Sequence, residues 1–204
     1  MRALIIREIL LIKIIIRNII LICCGGPLII YLIPYYRSIR NFEQYDKSLL
    51  TLVGMVGVTS YLVFYILYET IKKERMDKSL EKAYAFWGVK RVLGAKALSA
   101  YIMGIICEGV VLIISLYNQT DVQIPYKYFL LVLLGLAIFA WDCTAILSIS
   151  DDSIWTFSIA LIPGIWVCII LLNNTKLYLI TIILAVAAGL ILQCKINQKA
   201  INYI

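Results

Sequence analysis

Apolar runs about as long as a bilayer is thick recur along the whole of this sequence. Of its 204 residues 63% are hydrophobic and only 15% are charged, and there is no histidine. Soluble globular domains carry roughly 25% charged residues, so this composition excludes an ordinary soluble domain. Backbone that crosses lipid must be helical or form a closed barrel, and a spanning helix needs ~20 apolar residues. The sequence therefore predicts an all-α membrane protein with a single domain over residues 1–204.

Six apolar runs meet the length requirement, and we expect each to form a transmembrane helix. They cover residues 18–36, 49–71, 92–117, 127–150, 154–172 and 177–195. Most of the breaks between them are short and rich in the polar residues typical of turns. The exception is the polar stretch 72–91, which separates the second run from the third and is predicted to be a structured loop.

The first seventeen residues, MRALIIREILLIKIIIR, are interrupted by charge too often to form a span. On a helix, Arg2, Lys13 and Arg17 fall within a narrow arc with Arg7 beside them, and apolar side chains fill most of the remaining surface. This pattern predicts an amphipathic elbow helix over 1–17 that lies on the membrane, with its basic edge toward lipid headgroups. The alternative is that the stretch extends the cytoplasmic end of the first span.

The distribution of basic residues predicts the orientation of the chain. Lysines and arginines are concentrated near both ends of the sequence and within 72–91, and fewer lie in the other breaks. Cytoplasmic loops of membrane proteins are enriched in these residues, so both termini and the 72–91 loop are expected in the cytoplasm. The net charge of +7 is then best matched by the anionic lipid bilayer and not by nucleic acid.

Cysteine and histidine usage limits the chemistry that the chain can perform. All six cysteines lie in or beside apolar runs, where free cysteine behaves as a small hydrophobe, so we expect neither disulfides nor a metal site. Without histidine, zinc-dependent hydrolysis and a Ser-His pair are both excluded. An aspartyl-type mechanism stays open in principle, but no flanking motif supports it, and we predict no catalytic residue.

A short amphipathic helix is predicted inside the polar stretch. Its apolar face would consist of residues at spacings i, i+3, i+4 and i+7, namely Leu80, Ala83, Tyr84 and Trp87. Ser79 can cap its start and Gly88 can end it, while Glu81 and Lys82 point away from the apolar face. A helix this short needs something to pack against. The alternative is a solvated turn whose aromatic residues rest at the headgroup level.

The segment Glu69–Gly104 resembles the cytoplasmic loop of ABC-transporter permeases of type 2, the compact six-span exporter class. The likeness rests on KKER at 72–75, SLE at 79–81 and GAK at 94–96, and on the overall plan of elbow helix, six spans and short external breaks. It implies a multi-pass protein of the bacterial cytoplasmic membrane that pairs with a second permease copy or paralogue. It also implies a separate cytoplasmic ABC ATPase that binds ATP and Mg, with no cofactor in this chain.

The same resemblance implies that the short helix is the coupling helix, which docks into the ATPase. The residues assigned to this docking are Ser79, Leu80, Glu81, Ala83, Tyr84, Trp87 and Gly88, with Leu80, Tyr84 and Trp87 as the apolar anchors. The chain has no G-x-x-x-x-G-K-[ST] loop to hold nucleotide phosphates, so any ATPase must be a partner.

Two carboxylates fall well inside apolar runs, where an ionised side chain is costly. Glu108 lies in the third predicted span and Asp142 in the fourth. We expect them at similar depths on neighbouring antiparallel helices, where they would form a proton-sharing pair or part of an acidic lining, the latter suited to a cationic or amphipathic substrate. The alternative is that each satisfies a separate polar group in the bundle.

Together these features favour the permease subunit of an ATP-driven exporter, with a peptide or amphipathic small molecule as substrate. A non-pumping accessory membrane protein, for toxin immunity or sensing, shares the same composition and topology. Only the coupling-helix signature separates the two functions.

Overall fold

The computed structural model describes residues 2–22, 24–25, 47–118 and 126–149, together with helical positions 179–181, 183–184, 186–187 and 190–191. Every described residue is helical except Ile15, Asp77, Lys78 and Gly88, and there is no strand in this part of the chain. The predicted all-α class is therefore confirmed for the described residues.

Five helices are defined by their end residues. They are α1 (Arg2–Ile14), α2 (Lys47–Met76), α3 (Ser79–Trp87), α4 (Val89–Asn118) and α5 (Tyr126–Ile149). Two of them, α2 and α4, have 30 residues each and are ~45 Å long at 1.5 Å per residue. The nine-residue α3 lies between them in the chain.

The core is a three-helix arrangement in which α2, α4 and α5 pack against one another in pairs. Each contributes apolar side chains at helical spacing, among them Leu62, Val63, Ile66, Val92, Ala95, Cys107, Leu136, Phe139 and Ala140. Gly104 permits close approach at the centre of this packing. A methyl group there would lie 2.8 Å from Leu136 Cδ2 and 2.9 Å from Val63 Cγ2, so a residue without Cβ is needed.

The six predicted transmembrane helices are supported only in part. One helical stretch among the described residues, Val89–Ile114, is long and apolar enough to cross a bilayer, and Val132–Ser148 is a shorter apolar stretch. The outer surface of α4 carries exposed aliphatic side chains, including Ile102, Ile106 and Ile113. The predicted spans 49–71 and 92–117 fall within α2 and α4, and 127–150 coincides with α5 up to residue 149, where that described range ends. The predicted span 154–172 lies outside the described residues, as do large parts of 18–36 and 177–195.

The N-terminal helix is embedded in the bundle more deeply than the sequence indicated. It packs against α4 and, less extensively, against α2. A buried stripe runs along one face through Leu4, Glu8 and Ile12, and continues to Ile19 in the helical residues 16–22 that follow a turn at Ile15. Most of the remaining surface is exposed and apolar. Only part of the predicted basic edge faces outward, because Lys13 and Arg17 are exposed whereas Arg7 turns toward the bundle.

Candidate functional site: a short helix above a buried ion cluster

The short helix α3 begins and ends at residues with positive φ. Lys78 precedes it with φ 51° and ψ 21°, and Gly88 follows it with φ 81° while donating its N–H to the Tyr84 carbonyl at 2.9 Å. A residue with positive φ at each end turns the chain sharply, which lets a nine-residue helix fit between two long ones. Gly88 thus ends the helix as predicted. The predicted cap was wrong, because Lys78 occupies the cap position and the Ser79 hydroxyl donates to the Glu74 carbonyl at 3.4 Å.

The apolar face of α3 is occupied by the chain's own bundle. Leu80 and Ala83 are buried, at 4% and 3% exposed, and Tyr84 and Trp87 pack partly buried against the same core. Burial raises the pKa of the Tyr84 phenol, an effect that the neighbouring Ser148 opposes. In this arrangement these four side chains hold α3 to α2 and α4.

The opposite face of α3 is open. It consists of Glu81, Lys82, Ala85 and Phe86, which we call the outer face. Phe86 is 79% exposed, and its ring meets Trp87 edge to face with centroids 4.8 Å apart. Exposed basic side chains precede and follow α3 in sequence, including Lys72, Lys73, Lys78, Lys90 and Arg91. An exposed aromatic ring is typical of surfaces that contact a protein partner.

Beneath α3, four charged side chains from three helices form what we call the ion cluster: Arg7 and Glu8 of α1, Glu74 of α2 and Lys96 of α4. The Lys96 ammonium is 2.9 Å from Glu8 Oε2 and 2.5 Å from Glu74 Oε2. The Lys96–Glu8 contact is a hydrogen bond, whereas the Lys96–Glu74 contact is an ion pair without hydrogen-bond alignment. Arg7 donates to Glu8 Oε1 at 3.1 Å and also contacts Glu74 Oε1.

The ion cluster is almost fully removed from solvent. The side chain of Lys96 is 0% exposed, and those of Glu8 and Glu74 are 2% and 1% exposed, so only Arg7, at 23%, reaches the surface. Two positive and two negative groups balance one another, which is the condition under which buried charges are tolerated. Burial raises the pKa of Glu8, the Lys96 ammonium opposes that rise, and the nearby Glu74 carboxylate adds to it.

Arg7 also connects the ion cluster to the short helix. Its guanidinium carbon lies 5.8 Å from the centroid of the Trp87 ring, within the range of a cation–π contact. A second tie fastens the same end of the bundle, where Arg75 donates to the Leu147 carbonyl of α5 at 2.6 Å. The last turn of α3 is therefore joined to α1, and the last turn of α2 to α5.

The two carboxylates predicted to share a depth do not do so. A methyl group at Gly104 would meet Leu136, and one at Gly94 would lie 3.9 Å from Trp141 Cζ3, which fixes the register of α4 against α5. Counted from the close Gly104–Leu136 contact, Asp142 lies six residues toward the α3 end of the bundle and Glu108 four residues the other way. At 1.5 Å per residue, the two carboxylates differ in depth by ~15 Å. The prediction of similar depth was wrong because it rested on assumed span ends.

Three of the four oxygens of these carboxylates make no hydrogen bond to the described residues. Both oxygens of Glu108 and Oδ1 of Asp142 are buried without a hydrogen bond there. A role for either residue in a translocation path stays a prediction. The described residues also contain no group of three or more His, Cys, Asp or Glu placed to hold a metal ion, and Cys24, Cys107 and Cys143 are free thiols.

Sequence reasoning missed the ion cluster, although each member carried a local signal. Glu74 lies in KKER and Lys96 in GAK, the two motifs on which the family resemblance rests. Glu8 shares a helix face with Leu4 and Ile12, a spacing that marks a carboxylate on a buried stripe. Comparison with protein-family models, curated proteins and solved structures finds no match for this chain.

Proposed function

We propose that this chain is the permease subunit of an ATP-driven ABC exporter of type 2. It would sit in the bacterial cytoplasmic membrane with six spans and both termini in the cytoplasm, beside a second copy or a paralogue. A separate ATPase subunit would bind ATP and Mg and dock on α3, and this chain would do no covalent chemistry itself. A peptide or an amphipathic small molecule is the proposed substrate.

One observation carries the proposal: a nine-residue helix joins two 30-residue helices and has two different faces. Its inner face is packed into the bundle, so displacement of α3 acts directly on α2 and α4. Its outer face presents Phe86 to the surroundings within a basic segment. A helix that transmits force needs this combination, because one side must be fixed to the bundle while the other remains free for the motor.

Because the inner face of α3 is occupied by the bundle, we assign the proposed docking role to residues of its outer face. Leu80 and Ala83, which the resemblance assigned to docking, are buried in the chain's own core. The proposed anchor is instead Phe86, inserted into an apolar slot of the ATPase, with Lys82 and the basic residues flanking α3 facing acidic groups around that slot. Glu81 would lie at the rim of the same contact.

Co-purification in detergent with a co-expressed ABC ATPase subunit from the same organism tests the proposal. We expect wild type to form a stable complex and Phe86→Asp to abolish it, because a carboxylate cannot enter an apolar slot without a large desolvation cost. Phe86→Leu is the matched control, since it keeps an apolar side chain and should retain binding.

Exposure makes Phe86 a better test site than Leu80. A charge at Leu80 would disrupt the core of the permease itself, so loss of binding would not report on docking. An ATPase that binds wild type and Phe86→Asp equally would refute the docking surface. If no ATPase binds wild type, the exporter proposal falls and the accessory membrane protein takes its place.

A further inference from the structure

We propose that Arg7 is a positioning residue that clamps the N-terminal helix α1 to the short helix α3, so that α1, α2, α3 and α4 respond as one unit when a partner moves α3. The clamp is a property of this chain alone, whereas its use in energy coupling rests on the proposed function. The sequence assigned Arg7 to a basic edge facing lipid headgroups. The geometry gives it a different role.

Arg7 makes contacts to three separate helices. Within α1 it binds the Glu8 carboxylate, across the bundle it binds Glu74 of α2, and its guanidinium lies over the Trp87 ring at the end of α3. A guanidinium can serve carboxylates with its N–H groups while its flat face meets an aromatic ring. Removing it would detach α3 from α1 and leave Glu8 and Glu74 sharing Lys96 alone.

Burial explains why this joint would be rigid. Glu8, Glu74 and Lys96 are almost completely excluded from solvent, so separating α1 from α2 and α4 would leave charged groups unpaired in an apolar surrounding. Water cannot replace the lost contacts until the bundle opens. Movement applied at α3 is therefore expected to carry α1 with it instead of breaking the ion cluster.

Trp87 acts in this clamp from the inner side of α3, whereas Phe86 next to it belongs to the outer face. The two rings touch, with their planes at 77°. Two adjacent residues of α3 thus have different contacts: Phe86 would contact the partner, and Trp87 contacts Arg7. Substitutions at these positions should separate binding from coupling.

Hydrogen exchange of the full-length chain in detergent, followed by mass spectrometry, tests the clamp without any partner. We expect Arg7→Gln to speed backbone exchange about tenfold in peptides covering 2–14 and 79–87, because local opening no longer breaks the Arg7 contacts. Lys13→Gln is the matched control, since Lys13 is an exposed basic residue of the same helix. Equal exchange in Arg7→Gln and Lys13→Gln would overturn the clamp.

A second pair of variants guards against a folding defect in Arg7→Gln. Trp87→Phe keeps an aromatic face for the guanidinium, whereas Trp87→Leu keeps only apolar volume. We expect Trp87→Leu to speed exchange in residues 2–14, which lie on another helix, and Trp87→Phe to leave that exchange close to wild type. Similar exchange in the two variants would count against the Arg7–Trp87 contact as the link.

ATP hydrolysis by the complex tests the coupling step. Arg7→Gln leaves the outer face unchanged, so the ATPase should still co-purify, while the change in hydrolysis rate that the permease confers on the ATPase should be lost. Wild-type rates in a complex with Arg7→Gln would overturn the coupling role. Failure of wild type to bind any ATPase would instead refute the exporter function, and the exchange experiment would still decide the clamp.

Discussion

Replacing Lys96 by methionine is the sharpest test of how the bundle is held together at this end. The Lys96 side chain is 0% exposed and neutralises two carboxylates that are themselves almost fully buried. Methionine has a similar length and fills the space, so the change removes charge with little loss of volume. Glu8 and Glu74 would then share only Arg7, leaving one negative charge uncompensated in an apolar surrounding.

The expected cost follows from that missing charge. Removing one partner of a buried ion pair destabilises proteins by roughly 3–5 kcal/mol. For a chain of this size each kcal/mol lowers the melting temperature by about 2–4 °C, so we expect a loss of about 10 °C. Adding Glu8→Gln to Lys96→Met leaves the Arg7–Glu74 pair balanced, and we expect this double variant to melt above the Lys96→Met single variant.

Intrinsic tryptophan fluorescence during heating in detergent supplies the measurement, since the chain has four tryptophans. Lys90→Met is the control, because Lys90 is an exposed lysine of the same helix. A Lys96→Met protein that melts within about 2 °C of Lys90→Met would show that Lys96 is not balancing buried charge. A double variant less stable than the Lys96→Met single variant would refute the charge-balance argument.

Two further perturbations probe packing and protonation. Gly104→Ala should destabilise the bundle by about 1–3 kcal/mol, because the added methyl group would press into side chains of α5 and α2. Gly57→Ala should be nearly neutral, because no atom lies within reach of a methyl group at that position. Thermal melting of both variants measures this difference. Burial raises the pKa of the Glu8 carboxyl above its ordinary value of 4.5, so the folded chain binds the carboxyl proton more tightly than the unfolded chain does. The contribution of Glu8 to the free energy of unfolding should therefore fall as the pH rises from 4.5 through the raised pKa. Melting curves across that window should show a smaller fall for Glu8→Gln, and parallel pH profiles would contradict the assignment.

The short helix was predictable from the sequence because its determinants are local. The spacing of Leu80, Ala83, Tyr84 and Trp87 defines one face, and Gly88 supplies the positive φ that ends the helix. What that face packs against is not a local property. An apolar stripe of this kind serves equally well against the chain's own bundle or in the groove of a partner.

The ion cluster was not predictable for a related reason. Its contacts join residues 67 and 88 positions apart, and no helical periodicity connects charges over such distances. The depth of Glu108 relative to Asp142 likewise depends on how α4 and α5 slide against each other. The close packing at Gly104 sets that register, and span ends estimated from composition do not.

Because the inner face of α3 is packed against the bundle, only the outer face of this helix is accessible to a partner. If Leu80 and Trp87 were the docking surface, binding of a partner would require α3 to leave the bundle. Force would then reach α2 and α4 only through the short backbone connections at 77–78 and Gly88. With Leu80 buried, Trp87 partly buried and the Arg7–Trp87 contact in place, α3 stays fixed while Phe86 remains exposed. The division of one short helix into a held face and a free face is therefore what the proposed function requires, and substitutions at Phe86 and at Arg7 should fail in different assays.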